Sequence, residues 1–300
     1  MEINPGLWIV FVVLPIILII IIDFIFKKIY KKSKKKWGDH LDPHSFDTKE
    51  EYFLFLQLMK VYEFIPSIIP KGKEVLDAGC GEGYGANYLA KKGFQVIAID
   101  INKKTIIEAR KKYRESCLFL QLNAEKLPYK NETFDAIMSS HVIEHLKNDA
   151  GYVKELQRVL KKGGKLILTT PNKKYRVKPG EKPWNIFHIK EYTADELEKI
   201  LKTSFPKVTM RGVMGDEETQ RVELERVKHC RKIARLDRFN LRRQIPPFLK
   251  FSINNFVRNI LNNKSQKFND FYLQKYNTNN FKIVKENLDS TINLVAVCEK

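Results

Sequence analysis

Cysteine is scarce in this 300-residue chain, and its four residues, Cys80, Cys117, Cys230 and Cys298, never form a C-x-x-C pair. That spacing suggests neither a zinc site nor a disulfide framework, so a reducing compartment fits the chain best. Acidic residues are also outnumbered, 35 against 54 Lys and Arg, for a formal net charge of +19. The sequence has no internal repeat and no low-complexity tract, which excludes collagenous and wholly disordered classes. At 43% hydrophobic residues, its length suffices for one large α/β domain with additions.

The acids are missing in two places. Residues Lys27 to Lys36 hold seven lysines and no acid, and Arg226 to Lys267 hold twelve Lys and Arg against one acid, Asp237. These stretches carry nearly the whole charge excess, so the remainder is near neutral and does not read as a nucleic-acid-coating surface. From Leu7 to Ile22 the chain is apolar throughout, and after Asp23 the apolar run resumes through Phe26. About 20 apolar residues cross a bilayer as a helix, so residues 1–26 are expected to span a membrane. The lysines follow the run rather than precede it, and no small-residue cleavage site comes after, unlike a signal peptide. The positive-inside rule then places everything after Lys27 in the cytoplasm. Residues 27–49 read as a basic juxtamembrane linker and residues 50–300 as one folded domain, with a basic helical insertion at about 216–280.

Within that domain, apolar runs with strand character alternate with helical patterns. Strands are expected at Glu74–Ala78, Gln95–Ile99, Leu118–Leu122, Ala136–Ser139, Lys165–Thr170, Lys207–Val213 and Ile292–Cys298. Helices are expected at Glu50–Ile65, Tyr84–Lys92, Lys103–Tyr113, Gly151–Leu160 and Thr193–Lys202, the last opened by a Thr193/Glu196 capping box. Such alternation builds a doubly wound, mostly parallel sheet flanked by helices. Lys173 to Pro183 reads as a loop.

The stretch VLDAGCGEGYGA, Val75 to Ala86, joins a buried strand, an acid at its end, glycines at alternate positions and a helix start. Dinucleotide folds bring glycine backbone to a pyrophosphate with G-x-G-x-x-G. Here Gly79, Gly81 and Gly83 follow Asp77, and a carboxylate there repels a pyrophosphate but suits a cationic group. A second acid, Asp100, ends the next strand some twenty residues on, placed to accept from ribose hydroxyls. Asn123-Ala124-Glu125, then Leu127-Pro128-Tyr129 and Thr133-Phe134-Asp135, follow in order. Together these motifs resemble the class I S-adenosylmethionine-dependent methyltransferases, over Lys73 to Pro171 and more loosely to Lys202.

The resemblance implies a Rossmann-like seven-stranded sheet, mostly parallel with the last strand antiparallel, and S-adenosyl-L-methionine as cofactor. It implies cofactor contacts from Asp77, Ala78, Gly79, Cys80, Gly81, Gly83, Asp100, Ile101, Asn123, Ala124, Glu125, Ser139 and Ser140. The fourth strand ends at Ser139-Ser140-His141-Val142-Ile143-Glu144-His145, whose side chains are expected to face the reacting methyl. The bare H-x-x-E-H spacing matches a zinc-peptidase pattern, but that pattern needs a helix and a further ligand. The run is also similar to the E-x-x-E-H segment of ubiquinone-pathway O-methyltransferases, where a divalent metal assists; His141 replaces the first glutamate, and no metal is assigned here. His141 reads as a ligand to a transition metal or as a general base, or else as a packed residue. The segment P-W-N-x-F-H-x-x-E-Y-T, Pro183 to Thr193, is similar to one found after the fifth strand in bacterial small-molecule and glycoconjugate methyltransferases. It nominates His188 as catalytic, against a role simply hydrogen-bonded beneath Trp184, Phe187 and Tyr192.

In the insertion, Leu249, Ile253, Phe256, Val257, Ile260 and Leu261 form an apolar stripe that either buries on the core or lies on anionic lipid. The reading is a membrane-tethered methyltransferase whose acceptor, methylated on oxygen, is lipid-associated, glycan-like or quinone-like. Its partners are that acceptor and the membrane, with nucleic acid disfavoured and no obligate protein partner inferred. RNA or protein methylation, or a non-catalytic membrane-surface binding module, are the alternatives.

Overall fold

Strand 1, Glu74–Ala78 (β1), exposes its first residue and buries the next four on both faces, the mark of a strand inside a helix-covered sheet. The computed structural model describes residues 46, 48–236 and 268–300. The expected membrane helix of residues 1–26, most of the linker and the stripe from Leu249 to Leu261 lie outside the described residues. Among the described residues, no helix is long and apolar enough to cross a membrane.

Ahead of β1, helix α1 (Lys49–Phe64) is capped by Thr48, whose Oγ1 accepts from Glu51 N at 3.2 Å, and ends before Pro66. After β1 come α2 (Tyr84–Lys91), β2 (Gln95–Asp100), α3 (Lys103–Tyr113), β3 (Leu118–Gln121), β4 (Phe134–Ser140), α4 (Asp149–Val159) and β5 (Leu160–Pro171). The chain continues through α5 (Lys173–Arg176), α6 (Ala194–Leu201), β6 (Lys207–Gly215) and α7 (Glu217–Leu236). It closes with α8 (Asp270–Lys275), β7 (Phe281–Val284) and β8 (Asn293–Glu299).

The sheet order is β3-β2-β1-β4-β5-β8-β6-β7. β1 pairs in parallel with both β2 and β4, so the strand order reverses there and a crevice opens beyond their carboxyl ends. One face of the sheet packs under α1, α2 and α3 through Phe53, Tyr62, Leu89 and Ile106; the other packs under α4 and α6 through Tyr152, Leu156, Leu197 and Leu201.

Two expectations are corrected. The sheet has eight strands rather than seven: β7 pairs antiparallel to β6, from Gly212↔Val284 to Gly215↔Phe281, beside the expected antiparallel β8. Its four residues bury only Phe281 fully, so this edge strand lacks the apolar run that marks the others. The stretch after β5 is not all loop, because Asn172 Oδ1 accepts from Lys174 N at 3.1 Å and starts the short α5.

Asn172 also ties β5 to the turn before β8. Its Nδ2 donates to Leu288 O at 2.7 Å and Thr291 O at 2.8 Å, and the residue is buried. Asn172→Ala strands these groups, at about 1–3 kcal/mol for a buried polar group left unpaired. A urea melt should therefore show a lower midpoint with an unchanged m-value.

Candidate active site

The turn after β1 is built from backbone that favours glycine. Gly79, Gly81 and Gly83 have φ of 89°, 53° and 80°, all left-handed. A Cβ at Gly79 would overlap the Val142 side chain, and one at Gly83 would overlap the Phe119 ring. Gly79 N and Cys80 N donate to Ile99 O at 2.8 and 2.9 Å, which binds the turn to β2. At the end of β2, Asp100 spans both loops: its Oδ2 accepts from Gly81 N at 3.1 Å and its Oδ1 from Asn102 N at 2.8 Å. Asn102, not Asp100, caps α3. Ile101, beside this carboxylate, is exposed on the crevice rim. After β3, Asn123 Oδ1 accepts from Glu125 N at 2.9 Å and folds the 123–125 turn.

Asp77 is fully buried at the end of β1. Among the described residues its hydrogen-bond partner is Tyr62 of α1, whose hydroxyl lies 3.2 and 3.1 Å from the two carboxylate oxygens. Burial pushes the carboxyl up to about 7; the Tyr62 hydrogen bond opposes that shift and the Asp100 charge adds to it. A desolvated carboxylate with one neutral donor favours a cationic partner. Nothing in the sequence near Asp77 points to Tyr62, which reaches it from 15 residues upstream.

At the end of β4 the expected side chains divide. Ser139 is buried with its Oγ 2.9 Å from the Tyr152 hydroxyl, so its side chain turns into the α4 layer rather than toward a methyl group. Ser140 is half-buried at the last position of the strand. His141 has a left-handed φ of 54°, and its Nδ1 lies 3.6 Å from Glu144 Oε1. Glu144 is fully buried and its Oε2 accepts from Thr170 Oγ1 at 3.0 Å.

His188 is only 3% exposed, beneath the 184–192 loop rather than at its surface. Its Nδ1 donates to Glu191 Oε1 at 2.7 Å, and its ring meets His145 edge-on at 4.9 Å. Arg176 approaches Glu191 Oε1 at 3.3 Å and stacks on Trp184 at 4.3 Å. Burial alone would raise the Glu191 carboxyl, but Arg176 and His188 hold it below the usual range. Glu191 and Arg176 escape a reading of the sequence for catalytic types; the one trace is the H-x-x-E spacing of His188 and Glu191.

A parallel sheet with this switch point, a left-handed glycine turn, a buried acid ready for a cation and a second acid at the end of β2 define an α/β enzyme fold that holds a cationic nucleoside cofactor. Residues 76–168 match the family described as a methyltransferase domain. A probable S-adenosylmethionine-dependent methyltransferase of Mycobacterium tuberculosis is 39% identical over 171 residues, 56% of this chain and 61% of that protein's length. An uncharacterised protein of Methanocaldococcus jannaschii is 30% identical over 183 residues, 58% of this chain and 78% of that one. Among solved structures, an S-adenosylmethionine-dependent methyltransferase of Thermotoga maritima, described as a possible histamine N-methyltransferase, aligns with TM-score 0.51 and 15% identity over 84% of this chain and 94% of its own. A [4+2]-cyclase aligns with TM-score 0.52 and 16% identity over 80% of each chain, so what these two structures share with this protein is the fold. Residues 76–168 thus carry a methyltransferase domain similar to that of relatives named for S-adenosylmethionine dependence, and the chain spans about three-fifths of the length of the mycobacterial relatives it matches.

Proposed function

We propose that this protein transfers the methyl group of S-adenosylmethionine to an oxygen of a lipid-associated, glycan-like or quinone-like acceptor at a membrane surface. The observation that supports methyl transfer is the cradle itself: buried Asp77, the three left-handed glycines and Asp100 around one crevice. When bound, the sulfonium supplies an already activated methyl group, so the chain's work is positioning and exclusion of water. In this reading Asp77 pairs with the cofactor's amino group. Asp100 accepts from ribose hydroxyls, and the glycine turn lets backbone approach closely. His141, just after the end of β4, takes the acceptor's proton where one must leave. His188, enclosed and bound to Glu191, serves the loop that carries it.

The membrane part rests on the apolar run from Leu7 to Phe26 and the seven lysines that follow. Incubating the full chain with bacterial membranes and methyl-labelled cofactor should place label in the lipid-extractable fraction. Label confined to RNA or protein would overturn the acceptor class, and absence of S-adenosylhomocysteine binding by calorimetry would overturn the enzyme reading itself.

A further inference from the structure

The loop after β5 and the second half of α7 bring one sign of charge together from two places in the chain. Residues Lys173 to Lys190 hold six Lys and Arg against one acid, Glu181, and residues Arg226 to Leu236 hold five and no acid. The two segments pack side by side. Arg231 donates to Arg176 O at 2.7 Å and to Tyr175 O at 3.0 Å, Arg235 donates to Glu181 Oε1 at 3.0 Å, and Arg226 lies over the Trp184 ring at 5.3 Å. Along the chain the first segment belongs to the near-neutral remainder, and folding sets it against the basic one.

Part of this charge is neutralised within the domain. Arg176 faces Glu191 at 3.3 Å, Lys173 faces Glu196 at 2.8 Å, Lys190 faces Asp149 at 3.1 Å and Lys174 faces Asp289 at 3.4 Å; Arg226 pairs with Glu223 and Arg235 with Glu181. Lys178, Lys182, Lys228 and Lys232 are exposed and form no ion pair among the described residues. Lys228 and Lys232 stand one turn apart on the outer face of α7. Lys178 and Lys182 bracket the exposed Pro179-Gly180 tip, next to the Glu181 that Arg235 holds. Like charges gathered in this way repel one another, and a polyanionic partner relieves that repulsion.

Apolar side chains interrupt the same surface. Phe187 and Ile189 are exposed on the loop, and Leu224 is exposed on α7 one turn before Lys228. A nucleic acid stacks its bases on flat aromatic rings, whereas Ile189 and Leu224 are aliphatic and suit the headgroup boundary of a bilayer, with lysines at the phosphates. We propose that this face, the loop between β5 and α6 together with the second half of α7, docks on an anionic lipid bilayer. The four exposed lysines meet lipid phosphates, and Phe187 and Ile189 enter the interface. The inference rests on the reading that the chain works at a membrane surface, and it names the face presented there. Docking reaches the crevice through two contacts: Ile189 N donates to Glu144 O at 2.8 Å, and His145 Nδ1 lies 3.0 Å from Phe187 O. The docked loop is thereby fastened to the turn after β4, on the acceptor side of the crevice.

The test is hydrogen exchange on the full chain with lipid nanodiscs of phosphatidylcholine alone or of phosphatidylcholine mixed with phosphatidylserine. With phosphatidylserine, the amides of residues 178–190 should exchange more slowly than with phosphatidylcholine alone, and added salt should reverse the difference. Each lysine strengthens such docking about fivefold, so Lys178→Glu, Lys182→Glu, Lys228→Glu and Lys232→Glu combined should abolish the protection. S-adenosylhomocysteine binding should persist in this variant, which shows that it folds. Equal exchange on the two kinds of disc, or protection that survives the charge reversal, overturns the proposal. So does protection by polyuridylate RNA under conditions where phosphatidylserine gives none. Methyl label in the lipid fraction without protection of the loop strikes this inference alone, whereas protection without label strikes the acceptor class and leaves the docking face standing.

Discussion

Asp77→Asn is expected to abolish cofactor binding and, in the cofactor-free protein, to remove a loss of stability that sets in as pH rises from 5 to 8. The carboxyl is fully buried, and burial raises it from 3.8 to about 7 in the folded chain. Between those values the folded state holds a proton that the unfolded state has released, so the slope of unfolding free energy against pH is negative. The stabilising contribution is fully present below the unfolded value near 4 and is lost as pH rises through about 7. Three pKa units correspond to about 4 kcal/mol as an order of magnitude. The carboxylates held low, Asp135, Asp149 and Glu191, act in the opposite sense, with stability lost as pH falls below about 5. The window from pH 5 to 8 therefore isolates Asp77 from them. Urea melts of the wild type across that window should fall in midpoint, and those of Asp77→Asn should be flatter.

The same residue sets the pH dependence of binding. A cationic amino group stabilises the ionised carboxylate, so binding expels the proton that the empty site holds. S-adenosylhomocysteine affinity should rise by up to tenfold per pH unit below about 7 and level off above it. Calorimetry at pH 6 in two buffers of different ionisation enthalpy should register proton release. Equal affinity at pH 6 and pH 8 would mean that Asp77 is already ionised in the free protein. Stability and binding thus pull on one carboxylate in opposite directions, a conflict typical of a functional site.

Most of the sheet could be read along the chain because its cause is local. β1 and α3 have the bounds that their apolar patterns gave, and α6 begins after Thr193 with its capping box formed. The glycine turn was legible for the same reason, since left-handed φ at alternate positions leaves few other residues possible. What escaped depends on partners distant in sequence. β7 is an edge strand of four residues, and only its pairing with β6 makes it a strand. Ser139 stood in the right place by position, but the side chain is claimed by Tyr152 from α4. His188 was legible as a chemical type, but its contacts come from its neighbours: Nδ1 meets Glu191 Oε1 at 2.7 Å and the ring meets His145 edge-on. Tyr62 gave no signal, since a tyrosine in an apolar helix face reads as core until the strand it meets is known.

Gly85→Ala should be among the most damaging single substitutions outside the glycine turn, although the change favours helix formation at that position. Alanine gains about 1 kcal/mol over glycine in a helix interior, and Gly85 lies in the first turn of α2. Against that gain, a methyl group there would overlap three atoms of the Tyr62 ring. The ring has no room to retreat: it is buried, its hydroxyl is held by Asp77, and Tyr84 flanks it at 6.3 Å. Nor can α2 move away, because the preceding turn is pressed on Phe119 at Gly83. Overpacking of a closed site costs about 1–3 kcal/mol, and displacement of Tyr62 also removes its hydrogen bond to Asp77 and loosens α1 from the crevice. The expected outcome is a lower urea midpoint together with weaker S-adenosylhomocysteine binding at pH 7, because an Asp77 without its donor ionises less readily. A double-mutant cycle decides whether the ring is the cause. Tyr62→Leu should lessen the penalty of Gly85→Ala by more than about 1 kcal/mol, the coupling expected of residues in direct contact. Strict additivity would place the damage in α2 itself and detach helix α1 from any part in holding the cofactor acid.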